Sequence, residues 1–412
     1  MNDKINFNFA LKSLAMAVSV ALVPAQAFAA DEQNTDEKIA KLEQQVKDLQ
    51  QQQTASLADR FKFNGFMSGA YVSADNNSGY LGSSTSADFS EESKMGFQAT
   101  FAITPQTQAV MQLMMKGEND WDVEAEWAYV SHRFDGGVQV RGGKLRVPLF
   151  MYSDYLDVGY AQPFARPPEE VYGTVPFTTY TGGDISYDID FDDSTLTMQA
   201  FGGESEEAGI DISNIIGANV SWTDEIWTLR AVYGQASLDG PVTRPTTITM
   251  ADPTTGLPVD VNVNVRILDL DSEKATFAGV GASYDNGQFL AVAEWTRAEV
   301  AGQYSDSDAG YITLGYRINA FTPYVTAAYY ETQDDDERVV VDENSAILAA
   351  LFNGQRTSYS AGLRWDALDN LAVKFDVTYA TDFGDTSGGF QTNVLREYDD
   401  VTVYTVKFDV VF

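Results

Sequence analysis

Val401-Thr402-Val403-Tyr404-Thr405-Val406-Lys407-Phe408-Asp409-Val410-Val411-Phe412 closes the chain. Tyr404, Val406, Phe408, Val410 and Phe412 alternate with Thr405, Lys407 and Asp409. A period of two puts the apolar set on one face of a strand and the polar set on the other. The run ends on an aromatic residue. Together with the N-terminus, this pattern predicts a membrane-crossing β-barrel with apolar side chains toward lipid and polar ones toward a wet lumen.

The N-terminus predicts export. Lys4 and Lys12 flank a short polar segment, Leu14 to Val23 is almost wholly apolar, and Ala25-Gln26-Ala27-Phe28-Ala29 supplies small residues. That is the form of a cleaved signal peptide, residues 1–29, and its apolar run is too short to span a bilayer. No other stretch is long and apolar enough for a transmembrane helix. Cysteine is absent, so no disulfide framework operates and stability must come from burial and strand pairing. The full chain carries 60 acidic and 26 basic residues. Without Asp3, Lys4 and Lys12 the balance is 59 to 24, a net charge of −35. Such a field repels nucleic acid, which is excluded as a partner.

Residues 30–57 form a second segment. Ile39, Leu42, Val46 and Leu49 follow the 3-4-3 spacing of a coiled-coil seam, with Glu, Lys and Gln between them. A periplasmic oligomerising coil and a solvated linker helix both fit, since so short a helix is marginal alone.

From Phe61 the alternation recurs, and residues 58–412 read as one barrel domain. Strands are predicted at 61–73, 92–104, 107–117, 123–134, 136–147, 182–190, 193–203, 210–223, 225–237, 274–285, 288–302, 308–318, 321–332, 356–366, 371–382 and 399–412. That makes sixteen, an even number, as a closed antiparallel barrel in one chain demands. Connections at Pro105-Gln106, Asp135-Gly136, Asp192, Asp224, Asn286-Gly287, Asn319-Ala320 and Ala367-Leu368-Asp369 are tight. Those at 74–91, 148–181, 238–273, 333–355 and 383–398 are long. This asymmetry puts long loops outside and both termini at the periplasm. Sixteen strands enclose a channel rather than a packed core. Phase places Arg230, Arg317, Arg364, Lys374, Asp376, Lys407 and Asp409 toward the lumen.

The layout of residues 61–412 resembles the trimeric sixteen-stranded porins of Gram-negative outer membranes, and the N-terminal coil resembles those of sugar- and dicarboxylate-type porins. The resemblance implies a homotrimer whose third loop, here PLFMYSDYLDVGYAQPFARPPEEVYGTVPFTTYT from Pro148 to Thr181, folds into the barrel. It would then face Arg141, Lys144 and Arg146 of the fifth strand with Asp154, Asp157, Arg166, Glu169 and Glu170, creating a transverse field at a constriction. Arg141 and Arg146 differ in parity, so both point inward only if a bulge at Gly142-Gly143 shifts the phase. Otherwise Lys144 or Arg146 sits at the headgroup rim. Loop aromatics Phe150, Tyr152, Tyr155, Tyr160, Phe164 and Tyr172 either form a track for sugar rings or pack the loop against the wall. Phe412 resembles the terminal aromatic by which barrel-assembly machinery recognises its clients.

Acidic clusters at Glu91-Glu92, Glu204 with Glu206-Glu207, Asp334 to Glu337, and Glu397 with Asp399-Asp400 read as solvated outer loops, or as bridges through divalent cations to lipopolysaccharide phosphates. No spacing assigns a metal site, and no cofactor is implied. His132 is the sole histidine, with no Gly-x-Ser-x-Gly elbow or phosphate-cradling loop, so catalysis is not expected. Three functions remain: a water-filled channel for small hydrophilic solutes and ions, a substrate-specific channel for anions, dicarboxylates or sugars, and a structural or adhesive surface barrel.

Overall fold

Sixteen strands pair each with the next, and the first with the last, in a computed structural model of the chain. They are β1 (Phe61–Ala74), β2 (Lys94–Ala102), β3 (Thr107–Lys116), β4 (Val123–Arg133), β5 (Val138–Arg146), β6 (Thr179–Asp190), β7 (Ser194–Glu207) and β8 (Ile210–Asp224). The second half comprises β9 (Trp227–Ala251), β10 (Pro258–Asp285), β11 (Phe289–Val300), β12 (Ser307–Tyr316), β13 (Phe321–Thr332), β14 (Gln355–Leu368), β15 (Leu371–Thr381) and β16 (Val401–Val411). β1 closes on β16 in antiparallel register from Phe66 opposite Val411 to Ala74 opposite Val403, giving a barrel without free edges. The structure describes residues 59–251, 258–335, 338, 352–390, 393 and 396–412, with the isolated positions Lys41 and Gln44. The signal segment and the seam residues Ile39, Leu42, Val46 and Leu49 lie outside them.

The quoted C-terminal strand obeys its alternation. Tyr404, Val406 and Phe408 are exposed on the outer wall, while Thr405, Lys407 and Asp409 are buried within. β15 repeats this, with Phe375, Val377 and Tyr379 outward and Lys374, Asp376 and Thr378 inward. At the short-turn rim the outward aromatics pair across strands: Phe61 with Phe101, Trp227 with Tyr284, Phe289 with Tyr316, and Phe321 with Trp365. An apolar band bounded by an aromatic girdle is the surface a bilayer requires. Phe412 sits in that girdle, edge-on to Phe97, with its ring lying over the Gly65 backbone.

One predicted loop is wrong. Residues 238–273 are not a long connection; most of them extend β9 and β10 into a hairpin of 25- and 28-residue strands. Crossing a bilayer takes about 9–11 residues of strand. The pattern was present in Val259, Val261, Val263 and Val265, interleaved with Asp260, Asn262 and Asn264. Its polar turn residues disguised a run whose β-branched spacing favours pairing.

Candidate functional site

The third loop, residues 147–178, lies inside the barrel and is bonded to the wall along its course. Its Tyr160 hydroxyl donates to the Asp369 carbonyl in the short turn between β14 and β15, so the loop reaches down to the short-turn rim. Arg364 donates to the carbonyls of Tyr160 and Gln162, and Lys374 to that of Gly159, each at 2.7 Å. Gly159 approaches so closely that a Cβ there would fall 2.1 Å from an Asp409 carboxylate oxygen. No side chain fits.

Four of the predicted constriction charges are consumed by this attachment. Asp157 receives Lys94 at 2.9 Å, has Lys116 at 4.0 Å, and is bonded by Arg146. Arg146 also binds Glu126. Arg166 pairs with Glu92 at 2.6 Å, and Lys407 joins Glu92 at 3.0 Å while donating to the Ala165 carbonyl. Glu170 accepts from Arg356 Nε and from the Tyr80 hydroxyl, both at 2.9 Å. Each charge is buried against opposite charge, the condition under which removing it from water is tolerable. Burial opposes ionisation of Asp157, but Lys94, Arg146 and Lys116 outweigh it and hold the carboxyl well below its ordinary range. Burial likewise opposes ionisation of Glu92, and Arg166, Lys407 and Lys94 together bring it down to about 2. The Glu91-Glu92 pair is therefore not simply a solvated acidic tip.

The lumenal set points inward as alternation requires, yet much of it serves the loop. Lys374 is fully buried with Asp409 at 2.9 Å, and Asp376 accepts from the Tyr324 hydroxyl. Arg364 also pairs with Asp366. Arg230 donates to the Pro148 carbonyl at the loop root. Arg317 binds Asp285 at the short-turn rim.

The predicted Gly142-Gly143 bulge is not there. β5 keeps register with β6 from Val138 to Arg146, although Gly143 adopts a φ of +137°, a region that disfavours side chains. The register shift is instead in β4, where Gln112 faces Trp127 and Leu113 faces Ala125, leaving Glu126 as the extra residue. Pairing of β4 with β5 stops at Ala128 opposite Lys144, so Arg146 lies beyond that ladder and reaches Glu126 inside. Lys144 shares a face with exposed Ala128 and Val130, opposite to Arg141. It belongs to the outer wall, not to the constriction.

What remains open faces the other way. Asp154 is exposed on the loop, and its charge acts on Arg141, Tyr129 and Arg230 of β5, β4 and β9. Arg141 grips Asp184 through Nε at 3.0 Å; Gln199 also donates to Asp184 at 2.9 Å, and Asn219 to Gln199 at 2.8 Å. This polar ladder runs along the inner wall across β5 to β8. Glu169 touches water while enclosed by the barrel. Burial pushes its carboxyl up to about 7 against the pull of Arg356, with the Glu170 charge adding to the rise.

Phe150, Tyr152, Phe164 and Tyr172 pack rather than line a track, while Tyr155 stays exposed. Phe150 meets Phe277 edge-on, Tyr152 meets Phe164, and Tyr172 stacks obliquely on Phe150. Beneath them buried Glu294 of β11 accepts from Met151 N, Tyr172 and Tyr311. Sequence reasoning missed Glu92, Glu126, Glu294 and Arg356. A charge inside an apolar strand run, as in Leu290-Ala291-Val292-Ala293-Glu294, marks an inward group, but its partner is distant in sequence. His132 Nδ1 meets the Thr107 hydroxyl at 2.9 Å and the ring packs on Phe134, away from the loop.

No family model and no curated protein sequence matches the chain. Among solved structures it is similar to OmpF of Salmonella typhi in complex with daunomycin, at 12% identity and a TM-score of 0.56, over 85% of this chain and 97% of that one. It is similar to the anion-selective porin of Comamonas acidovorans, at 13% identity and 0.54, over 85% and 99%. The in-vitro-folded trimer form of OmpT, an outer membrane protein of Vibrio cholerae, gives 13%, 0.53, 85% and 99%. With its closed ring of sixteen antiparallel strands and its third loop inside, the chain has the fold of the outer-membrane porins.

Proposed function

We propose that the protein is a non-catalytic, water-filled channel for passive diffusion of small hydrophilic solutes and ions across a Gram-negative outer membrane. The observation that carries this reading is the asymmetric loop. Asp157 is paired off against β2, β3 and β5, Glu170 against β14 and Arg166 against Glu92 of the first loop, whereas Asp154 keeps an exposed carboxylate within electrostatic reach of Arg141 and Arg230. Opposite charges across a narrow wet gap favour polar solutes. In this reading Arg141, Asp154, Arg230 and Glu169 line the passage, and Arg146, Asp157, Arg166 and Glu170 position the loop.

Residues 1–29 are then the export signal, 30–57 a periplasmic coil and 58–412 the channel, assembled by the barrel-assembly machinery, with lipopolysaccharide around the outer loops. The trimer form of a structural neighbour supports a homotrimer. A channel specific for small anions or dicarboxylates is the second reading, favoured by the inward Arg141 and Arg230. Purified protein in a planar bilayer tests both. Stepwise ohmic conductance is expected. Closed membranes would make the barrel a plugged surface protein, and saturable block by one solute class would favour the specific channel.

A further inference from the structure

The inner wall changes character along its height. Near the short turns the inward residues of β7–β10 are polar, such as Gln199, Asn219, Arg230 and Ser283. Toward the other end the same faces become Phe201, Ile212, Leu238 and Phe277. A channel wall is ordinarily polar throughout. Both roots of the third loop, Leu149 and Val175 among their residues, cover this patch and leave a partly open pocket of about 140 Å³. The polar residues that border it, Glu207 and Gln235 among them, are far outnumbered by apolar ones.

We infer that this cavity is a binding site for one small apolar molecule, of the size of a single aromatic ring or a compact branched hydrocarbon. An apolar cavity of roughly 150 Å³ stays dry and accepts benzene. Left empty, it forfeits the contacts its lining could make. Room is also left at Gly234, where a Cβ would stand 3.8 Å from the Phe201 ring and 3.9 Å from Leu149, at ordinary contact distance. Because both loop roots form its walls, an occupant would brace the loop that narrows the lumen. The site does not depend on the channel reading, since it requires only the cavity.

Equilibrium dialysis of radiolabelled toluene against the full-length protein in lipid nanodiscs tests it. Ala236→Phe, which fills the cavity, serves as the baseline for toluene dissolved in lipid, and heat-modifiability on gels confirms that the barrel has folded. Wild type should bind one further equivalent that Ala236→Phe lacks, and Gly234→Val should weaken it at least tenfold. Should Ala236→Phe fail to fold, Gly234→Val becomes the baseline. Crystals soaked in iodobenzene should show anomalous density between Leu149 and Phe277. Equal toluene uptake by wild type and filled variant, or no iodine at that position, overturns the proposal.

Discussion

Lys94 Nζ lies 2.9 Å from the Asp157 carboxylate, joining β2 to the middle of the third loop across 63 residues of sequence. Arg146 closes on the same carboxylate from the loop's own root. One buried anion thus holds the loop to β2, β3 and β5, since Lys116 of β3 also approaches it.

Asp157→Asn should free the loop. Removing one partner of a buried ion pair costs about 3–5 kcal/mol because the remaining charges stay desolvated. Single-channel recordings should show larger conductance with added open-channel noise, and the folded band should melt at lower temperature. Glu170→Gln, which strands Arg356, should behave alike. An unchanged trace for both variants means that the loop is held by its aromatic packing alone.

Charge selectivity should follow the residues left in water. Asp154→Asn should move the reversal potential toward anions under a salt gradient, and Arg141→Gln should move it toward cations. Lys144→Gln, on the outer wall, should do neither. Exposed charges are screened over about 8 Å at physiological salt. The Asp154 effect should therefore shrink as salt rises, while persisting more than that of any outer-loop carboxylate.

Cation preference should increase between pH 6 and pH 8. Glu169 is pushed up to about 7 by burial, and Glu91 to about 7 by burial and the charges of Glu118, Glu92 and Asp88. Both are neutral below that range and negative above it. Because their folded values exceed the unfolded one, the stability they contribute is complete below the unfolded value and disappears as pH rises through 7. A Glu91→Gln, Glu169→Gln double variant should flatten the reversal-potential profile. A profile as steep as wild type assigns the titration elsewhere.

Deleting Phe412 should lower the yield of folded protein in the outer membrane. The ring covers the Gly65 backbone, and Phe412 exchanges backbone hydrogen bonds with Gly65 at 2.8 and 2.9 Å, so the last residue helps seal β16 to β1. Phe412→Ala keeps those backbone bonds and loses only the ring. Pulse-chase followed by unboiled gels separates slow assembly from weak closure: a normal rate with a lowered melting point would place the role in packing.

Assembly should be trimeric, with SDS-resistant, heat-labile oligomers on unboiled gels. Removing residues 31–53 should slow trimer formation without changing single-channel conductance. A monomer in mild detergent with that segment intact would refute the oligomer.

Strand count, strand order and the direction of Lys374, Asp376, Lys407 and Asp409 were legible in the sequence. A two-residue period constrains each position relative to its immediate neighbours, and sixteen outward stripes have one geometrically closed solution. The β9–β10 hairpin was misread because turn-forming residues masked its period. Lys144 was misplaced because a bulge was expected at Gly142-Gly143; the ladder runs through that pair unbroken, so plain alternation from inward Arg141 turns Lys144 outward.

The sequence by itself determined the lipid-facing and lumen-facing sides of the wall, since burial on one face of a strand is a local property. Only the tertiary structure decided which lumenal charges meet water. Arg166 and Glu92 lie 74 positions apart, Arg356 and Glu170 lie 186 apart, and each pair forms only once the loop has entered the closed barrel. Coulombic pairing depends on distance in space, so the same inward carboxylate becomes an anchor at Asp157 and an exposed charge at Asp154.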